Sequence, residues 1–133
     1  MIRDISIVIP IYNEQDNIIQ LIKEVRATLE KKINYEIIIV DDGSDDNTYE
    51  AVNKIKKNNK NITIISHEKN YGQSIGLRTG IIEANSEYIV TLDGDGQNDP
   101  RDILKLIKPF DSEVSFMMVI GNRVNRIDST AKK

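Results

Sequence analysis

Two carboxylates one residue apart, Asp93 and Asp95, stand in the segment TLDGDGQNDP (residues 91–100), where an apolar run gives way to glycines. An acidic pair at the end of a buried strand is costly without a counter-charge, because the two ions repel each other and both lose solvation. A divalent cation is the usual remedy, and hard oxygen ligands in this setting suit Mg²⁺ or Mn²⁺, ions that commonly bridge to a substrate's phosphates. The bland use of the same residues is a polar turn in which Asp and Gly serve backbone geometry. A second acidic pair, Asp41 and Asp42, closes another apolar run. It could cap a helix, or Asp42 could accept a hydrogen bond from a ribose hydroxyl or a base N–H, as acids at such edges do in nucleotide-binding folds.

Positioning these groups requires strands that end beside one another. Short β-branched runs alternate with amphipathic segments, the pattern of an α/β protein with a parallel sheet. The spacing predicts strands over Ile5–Pro10, Glu36–Val40, Ile62–Ser66, Tyr88–Leu92 and Val114–Ile120. Ile18, Ile22, Val25 and Leu29 recur at helical spacing, with Asn13 or Asp16 as the expected N-cap. Asn47 and Glu50 resemble a capping box for a second helix through Ala51, Val52 and Ile55. Ser74–Ala84 reads as a third helix, and Asp99-Pro100 opens a fourth that Pro109 stops. Gly72, Gly76 and Gly80 are spaced for close packing of a helix on the sheet.

In an open parallel sheet, ligands bind outside the carboxyl ends of the strands. Here those ends carry Pro10–Glu14, Asp41–Ser44, His67–Gly72, Asp93–Asp95 and Gly121–Arg123. Acids near the first helix start, Glu14 and Asp16, also favour its dipole. His67 is the single histidine and has no carboxylate at a diagnostic spacing, so it reads as a packing or surface residue.

With 133 residues, 39% apolar and 29% charged, the chain has the composition of one soluble globular domain rather than a fibre or a disordered tail. A net charge of −3 with scattered Lys and Arg argues against nucleic acid as a partner. The absence of cysteine excludes disulfides and thiolate metal sites, and leaves a cytoplasmic location as the default. No apolar run approaches the roughly 18 to 20 residues that span a bilayer.

The runs IVIPIYNEQDNI, EIIIVDDGSDDNT, NYGQSIGLRTGI, YIVTLDGDGQNDP and IGNRVNR, taken in order, resemble glycosyltransferase family 2, and within it the polyprenyl- or dolichol-phosphate sugar synthases. The likeness spans nearly the whole chain, which makes it far more specific than an isolated D-x-D. It implies a GT-A (Rossmann-like) fold, a UDP- or GDP-linked sugar donor, Mg²⁺ or Mn²⁺, and inverting transfer to a polyprenyl phosphate. By the same resemblance, Pro10, Tyr12, Asn13, Glu14, Val40 and Asp42 line the nucleotide pocket, with Asp93 and Gly94 on the sugar-nucleotide side. Asp93 and Asp95 match the D-x-D motif, Gln97 joins the metal shell, and Asp95 and Arg123 carry the catalytic roles, Arg123 meeting the acceptor phosphate. Arg126 is either a second phosphate contact or a basic surface residue.

Measured against that family, the chain stops soon after Arg126. The reading therefore expects a single donor-binding domain over residues 1–133, with the acceptor-side sheet and interface helices absent. It expects a piece of a longer protein acting at the cytoplasmic face of a membrane, or a short one completed by a second copy or a partner chain. Rival readings are an inactive donor-binding or oligomerisation module, a haloacid-dehalogenase-like phosphatase built on DGDG, and an EF-hand-like loop from Asp93. The phosphatase motif normally opens its domain, whereas here it comes at the fourth strand. The EF-hand reading lacks Gly at its sixth position, Asn98, and Glu at its twelfth, Leu104.

Overall fold

The computed structural model describes residues 4–96 and 98–111, and in it the β-branched runs form four parallel strands. These are β1 (Asp4–Ile11), β2 (Asn34–Asp41), β3 (Ile62–Ser66) and β4 (Tyr88–Thr91), in the order β3-β2-β1-β4. Residues Ile37, Ile38, Ile39 and Val40 are all buried, as expected of a parallel strand covered on both faces. Alternation then divides the side chains. Ile5, Ile7, Ile9 and Ile11 of β1 meet Ile37 and Ile39 on one face, under α1 (Ile18–Leu29), α2 (Thr48–Lys56) and α4 (Ile103–Ile107). Val8, Ile38 and Val40 form a smaller cluster on the other face, beneath α3 (Gln73–Glu83).

Strands β1 to β3 are added in one direction, after which α3 crosses back over β2 and β1 to place β4 on the far side of β1. The order of addition thus reverses beside β1. Such a reversal leaves a crevice at the carboxyl ends of the two strands that flank it, here β1 and β4. At the opposite end of the sheet, Glu36 gathers the turn between α3 and β4. Its carboxylate accepts from Ser6 Oγ at 2.8 Å, Asn85 N at 2.9 Å and Asn85 Nδ2 at 3.1 Å, while Ser86 N donates to Ser6 Oγ at 3.2 Å.

The helix starts differ from expectation in their chemistry. The N-cap of α1 is Asn17, neither Asn13 nor Asp16, and the helix begins on the Glu14 carbonyl, which accepts from Asn17 N and Ile18 N. Asn47 does sit at the N-cap of α2, but its side chain makes no capping bond. Asp46 takes that role, accepting from Thr48 N at 2.9 Å and from the Thr48 hydroxyl. Asp99 caps as expected, accepting from Arg101 N at 3.0 Å, although Pro100–Asp102 is a 3₁₀ turn before α4 begins. The strand expected over Val114–Ile120 lies outside the described residues, as do Gln97, Arg123 and Arg126. Among the described residues no helix is long and apolar enough to cross a membrane.

Helix α3 lies close on the sheet because Gly76 and Gly80 have no side chains. A Cβ on Gly80 would fall 2.4 Å from Val8 Cγ1 and 3.2 Å from Val40 Cγ2. Alanine would favour the helix by about 1 kcal/mol over glycine. Overpacking against two stiff β-branched chains typically costs roughly 1–3 kcal/mol, so the clash should win. Gly80→Ala is therefore expected to lower the urea unfolding free energy, and Val8→Ala added to it should recover part of the loss, giving a non-additive double-mutant cycle.

Candidate functional site

Three loops at the carboxyl ends of β1, β2 and β3 are tied into one rim by their own polar atoms. Asn13 sits at φ 53°, a left-handed conformation that asparagine tolerates. From there its backbone N–H donates to Ser44 Oγ at 2.9 Å, and its side-chain oxygen accepts from Asp45 N at 3.0 Å. Glu14 N donates to Thr48 Oγ1 at 3.0 Å, and Gln15 Oε1 accepts from Asn47 N at 2.9 Å. The loop after β1 is thereby stitched to the loop after β2. Within the latter, Asp41 Oδ1 accepts from Ser44 N at 3.0 Å.

Asp42 joins the third loop. Its residue is only 4% exposed, yet its carboxylate has three donors: His67 Nδ1 at 2.9 Å and Tyr71 N at 2.9 Å on Oδ1, and Gly72 N at 2.8 Å on Oδ2. Burial alone would raise the carboxyl pKa, but the His67 ring N–H and the two backbone N–H groups outweigh it and hold Asp42 below the ordinary aspartate value. Gly43 makes the approach possible. At φ +75°, a Cβ there would lie 2.5 Å from the Lys69 carbonyl carbon and 2.7 Å from Asn70 N.

The acidic loop approaches from β4. Leu92 N continues the ladder to Val8 O at 3.1 Å, and Gly94 fits beneath Ile11, where a Cβ would meet Ile11 Cγ2 at 2.4 Å. Asp93 N donates to Asn98 Oδ1 at 2.7 Å, and Asp93 Oδ1 accepts from Gln73 Nε2 at 3.1 Å. Gln73, the first residue of α3, thus connects the loop held by Asp42 to the loop that carries Asp93 and Asp95. Both aspartates are half-buried. Among the described residues no group of three or more His, Cys, Asp or Glu side chains is gathered as a cation cage. Two carboxylates on one loop suit a hard cation that keeps water and takes further oxygens from a ligand's phosphates, as Mg²⁺ does.

Of the residues singled out in the sequence, Tyr12, Asn13, Glu14, Asp42, Asp93, Gly94 and Asp95 lie in these strand-end loops. Tyr12 is 44% exposed. Pro10 and Val40 lie below the rim, buried in the strands. The Pro10 side chain is 3.0 Å from where a Gly76 Cβ would stand, and Val40 belongs to the cluster under α3. Gln97 and Arg123 are outside the described residues. Sequence reading missed Gln73 and Thr48, whose residue types carry no site signal; it placed Ser44 and His67 at strand ends without a role, Ser44 as part of a loop and His67 because its carboxylate partner is distant in sequence. A cavity of about 450 Å³ between Glu24, Ala27 and Thr28 of α1 and the Gly96–Arg101 segment has no lining residue from the three tied loops.

Known proteins resemble this chain in sequence and in fold. A sequence profile described as Glycosyl transferase family 2 matches residues 6–133. An undecaprenyl-phosphate 4-deoxy-4-formamido-L-arabinose transferase from Photorhabdus laumondii is 37% identical across 99% of this chain, which spans 41% of that protein. A mannosyltransferase from Pyrobaculum calidifontis, solved with GDP-Man and Mn²⁺, superposes with a TM-score of 0.69 at 24% identity, covering 78% of this chain and 31% of its own. TarS of S. aureus, solved with UDP-GlcNAc, gives 0.68 at 26% identity, covering 80% of this chain and 30% of its own. These neighbours are GT-A glycosyltransferases, and the parallel sheet with helices on both faces is the corresponding part of that fold.

The depressed pKa of Asp42 sets a stability signature. A carboxyl whose folded pKa lies below its unfolded value stabilises the fold above the unfolded pKa, near 3.9, and loses that contribution as pH falls through the folded value. Asp42→Asn should therefore unfold at lower urea than wild type at pH 7. The gap should narrow when the titrations are repeated below about pH 4.

Proposed function

The chain belongs to glycosyl transferase family 2, and on that footing we propose that it is the donor-binding part of an enzyme that moves a sugar from a nucleoside diphosphate to a polyprenyl phosphate, with inversion. The observation that carries this reading is the convergence of the Asp42 loop and the Asp93–Asp95 loop beside the β1–β4 reversal, joined by Gln73. A buried, ionised acceptor on one side and a pair of hard carboxylates on the other match the two ends of a nucleoside diphosphate. Ligands named for the solved neighbours, GDP-Man with Mn²⁺ and UDP-GlcNAc, support the donor class, and the undecaprenyl-phosphate transferase supports the acceptor. Family membership also displaces the phosphatase and EF-hand readings of DGDG.

In this scheme Asp42 accepts from the nucleoside, Tyr12, Asn13 and Glu14 border it, and Asp93 and Asp95, with Gln97, hold the divalent cation. That cation, when bound, supplies positive charge against the charge that gathers on the diphosphate as the sugar's C1–O bond breaks. Asp93 is oriented by the Gln73 amide, and its backbone is fixed by Asn98. A phosphate acceptor is already anionic near neutral pH and requires orientation more than a general base. Arg123, by bidentate guanidinium geometry, is the proposed holder of that phosphate. Acceptor-side contacts would come from sequence beyond this domain, a second copy or a partner chain, at the cytoplasmic face of a membrane.

Calorimetric or thermal-shift titration with UDP, GDP, CDP and dTDP, each in Mn²⁺ and in EDTA, tests the donor reading, since a ligand of the native state raises its stability by mass action. Asp95→Asn should abolish most of the Mn²⁺-dependent gain, while Asp42→Ala should weaken binding in EDTA as well. Equal affinity of the wild type in Mn²⁺ and EDTA would count against the metal role.

Transfer itself needs donor and acceptor held in near-attack geometry, an effect of about 7–11 kcal/mol in well-oriented cases. The 133-residue chain is accordingly expected to bind donor without glycosylating a detergent-solubilised polyprenyl phosphate at a useful rate. Robust Mn²⁺-dependent transfer of radiolabelled sugar by this chain, lost on Arg123→Ala, would show that it carries the acceptor site as well.

A further inference from the structure

His67 has both ring nitrogens engaged. Nδ1 lies 2.9 Å from Asp42 Oδ1, and Nε2 lies 2.8 Å from Thr79 Oγ1, one turn and a half into α3. The ring also packs at right angles to that of Tyr71, with centroids 5.5 Å apart, and Lys69 Nζ stands 5.3 Å from the Tyr71 ring centre. Among the described residues Asp42 is the carboxylate that faces the imidazole.

Counting protons restricts what the ring can do. An ionised carboxylate only accepts, so Nδ1 must carry a proton. The Thr79 hydroxyl has one proton and two acceptors within reach, the Ile75 carbonyl at 3.0 Å and His67 Nε2. If that proton goes to Nε2, the ring is neutral. If it goes to Ile75 O, Nε2 donates to Thr79 and the ring is an imidazolium. Both arrangements keep Nδ1–H on Asp42, and neither allows the ring to turn over. Counting lobes on the carboxylate gives the complement. Among the described residues, Oδ1 is filled by His67 and Tyr71 N, whereas Oδ2 is engaged by Gly72 N and retains one acceptor direction.

We propose that His67 is a positioning residue for nucleoside recognition: anchored on α3 through Thr79, it fixes the Asp42 carboxylate so that one acceptor lobe of Oδ2 faces the ligand and the 67–72 loop stays closed on Gly43. This rests on the donor-binding reading and adds to it a residue that never touches the ligand. Replacing His67 leaves Tyr71 N and Gly72 N on the carboxylate but removes its tie to α3 and leaves Oδ1 one donor short, so the orientation of Oδ2 loosens.

The chain has a single histidine, so its imidazole signals need no assignment. In ¹⁵N-labelled protein at alkaline pH, long-range ¹H–¹⁵N correlations should show the neutral ring protonated on Nδ1, the reverse of the tautomer free histidine favours. An Nε2–H tautomer would overturn the proposal without any ligand. In parallel, UDP and GDP titrations in EDTA should show His67→Ala about tenfold weaker than wild type, the size expected for losing a bond to a charged group. The ratio of Mn²⁺ to EDTA affinity should be unchanged. His67→Asn, whose amide N–H can stand where Nδ1–H does, should recover most of the loss. Equal binding by wild type and a folded His67→Ala would refute the role of His67 alone, while no binding by wild type at all would overturn the donor-binding reading and this proposal with it.

Discussion

An ionised carboxylate with almost no access to water holds the working end of this molecule together. Asp42 lies at the end of β2, where its own N–H still donates to Ile11 O at 2.8 Å, so its backbone belongs to the sheet while its side chain belongs to the loop after β3. Leaving a buried charged acceptor without partners costs several kcal/mol, far more than one surface contact contributes. Separating any of the three N–H groups from it therefore carries a large cost. Through Tyr71 and Gly72 this fixes the start of α3, and through Gln73 it reaches the acidic loop.

The close approach of α3 to the sheet is the second condition. Gly76 and Gly80 set the helix at the height where its first residue meets Asp93, and bulkier residues would lift it away. The face beneath α3 is a small cluster, whereas the face beneath α1, α2 and α4 holds most of the buried isoleucine, leucine and valine. Stability and site geometry are thus separated between the two faces: the larger core supplies most of the apolar burial, and the smaller one sets a distance.

Much of the architecture could be read from residue types because it depends on local pattern. The strand expected over Tyr88–Leu92 is assigned to Tyr88–Thr91, and Leu92 N still bonds Val8 O, so the difference is one of definition. The close packing of Gly76 and Gly80 was legible for the same reason, whereas Gly72, expected to pack with them, stands at the helix start at φ +101° with nothing within 4 Å of where a Cβ would be. What could not be read were the contacts between loops. Asn13, expected with Asp16 as one of two possible caps of α1, bonds the loop after β2 instead, and Asp46 supplies the cap expected of Asn47. His67 appeared to lack a carboxylate because Asp42 is twenty-five residues away, a distance closed only when β2 and β3 pair. Gln73 has a residue type that signals nothing until α3 is laid against the end of β4.

Strand β4 is four residues long and, among the described residues, pairs only with β1. So short a ladder specifies its alignment weakly, and a slip by one residue would exchange its faces, turning Val90 away from the core and Ile89 into it. The same slip would carry the acidic pair along the strand axis by about 3.3 Å, enough to break the contact between Asp93 and Gln73. The polar knot of Glu36, Ser6, Asn85 and Ser86 prevents this from the far end of the sheet, because it seizes the chain just before β4 begins. Register fidelity at one edge of the sheet thereby becomes positional accuracy for two carboxylates at the other.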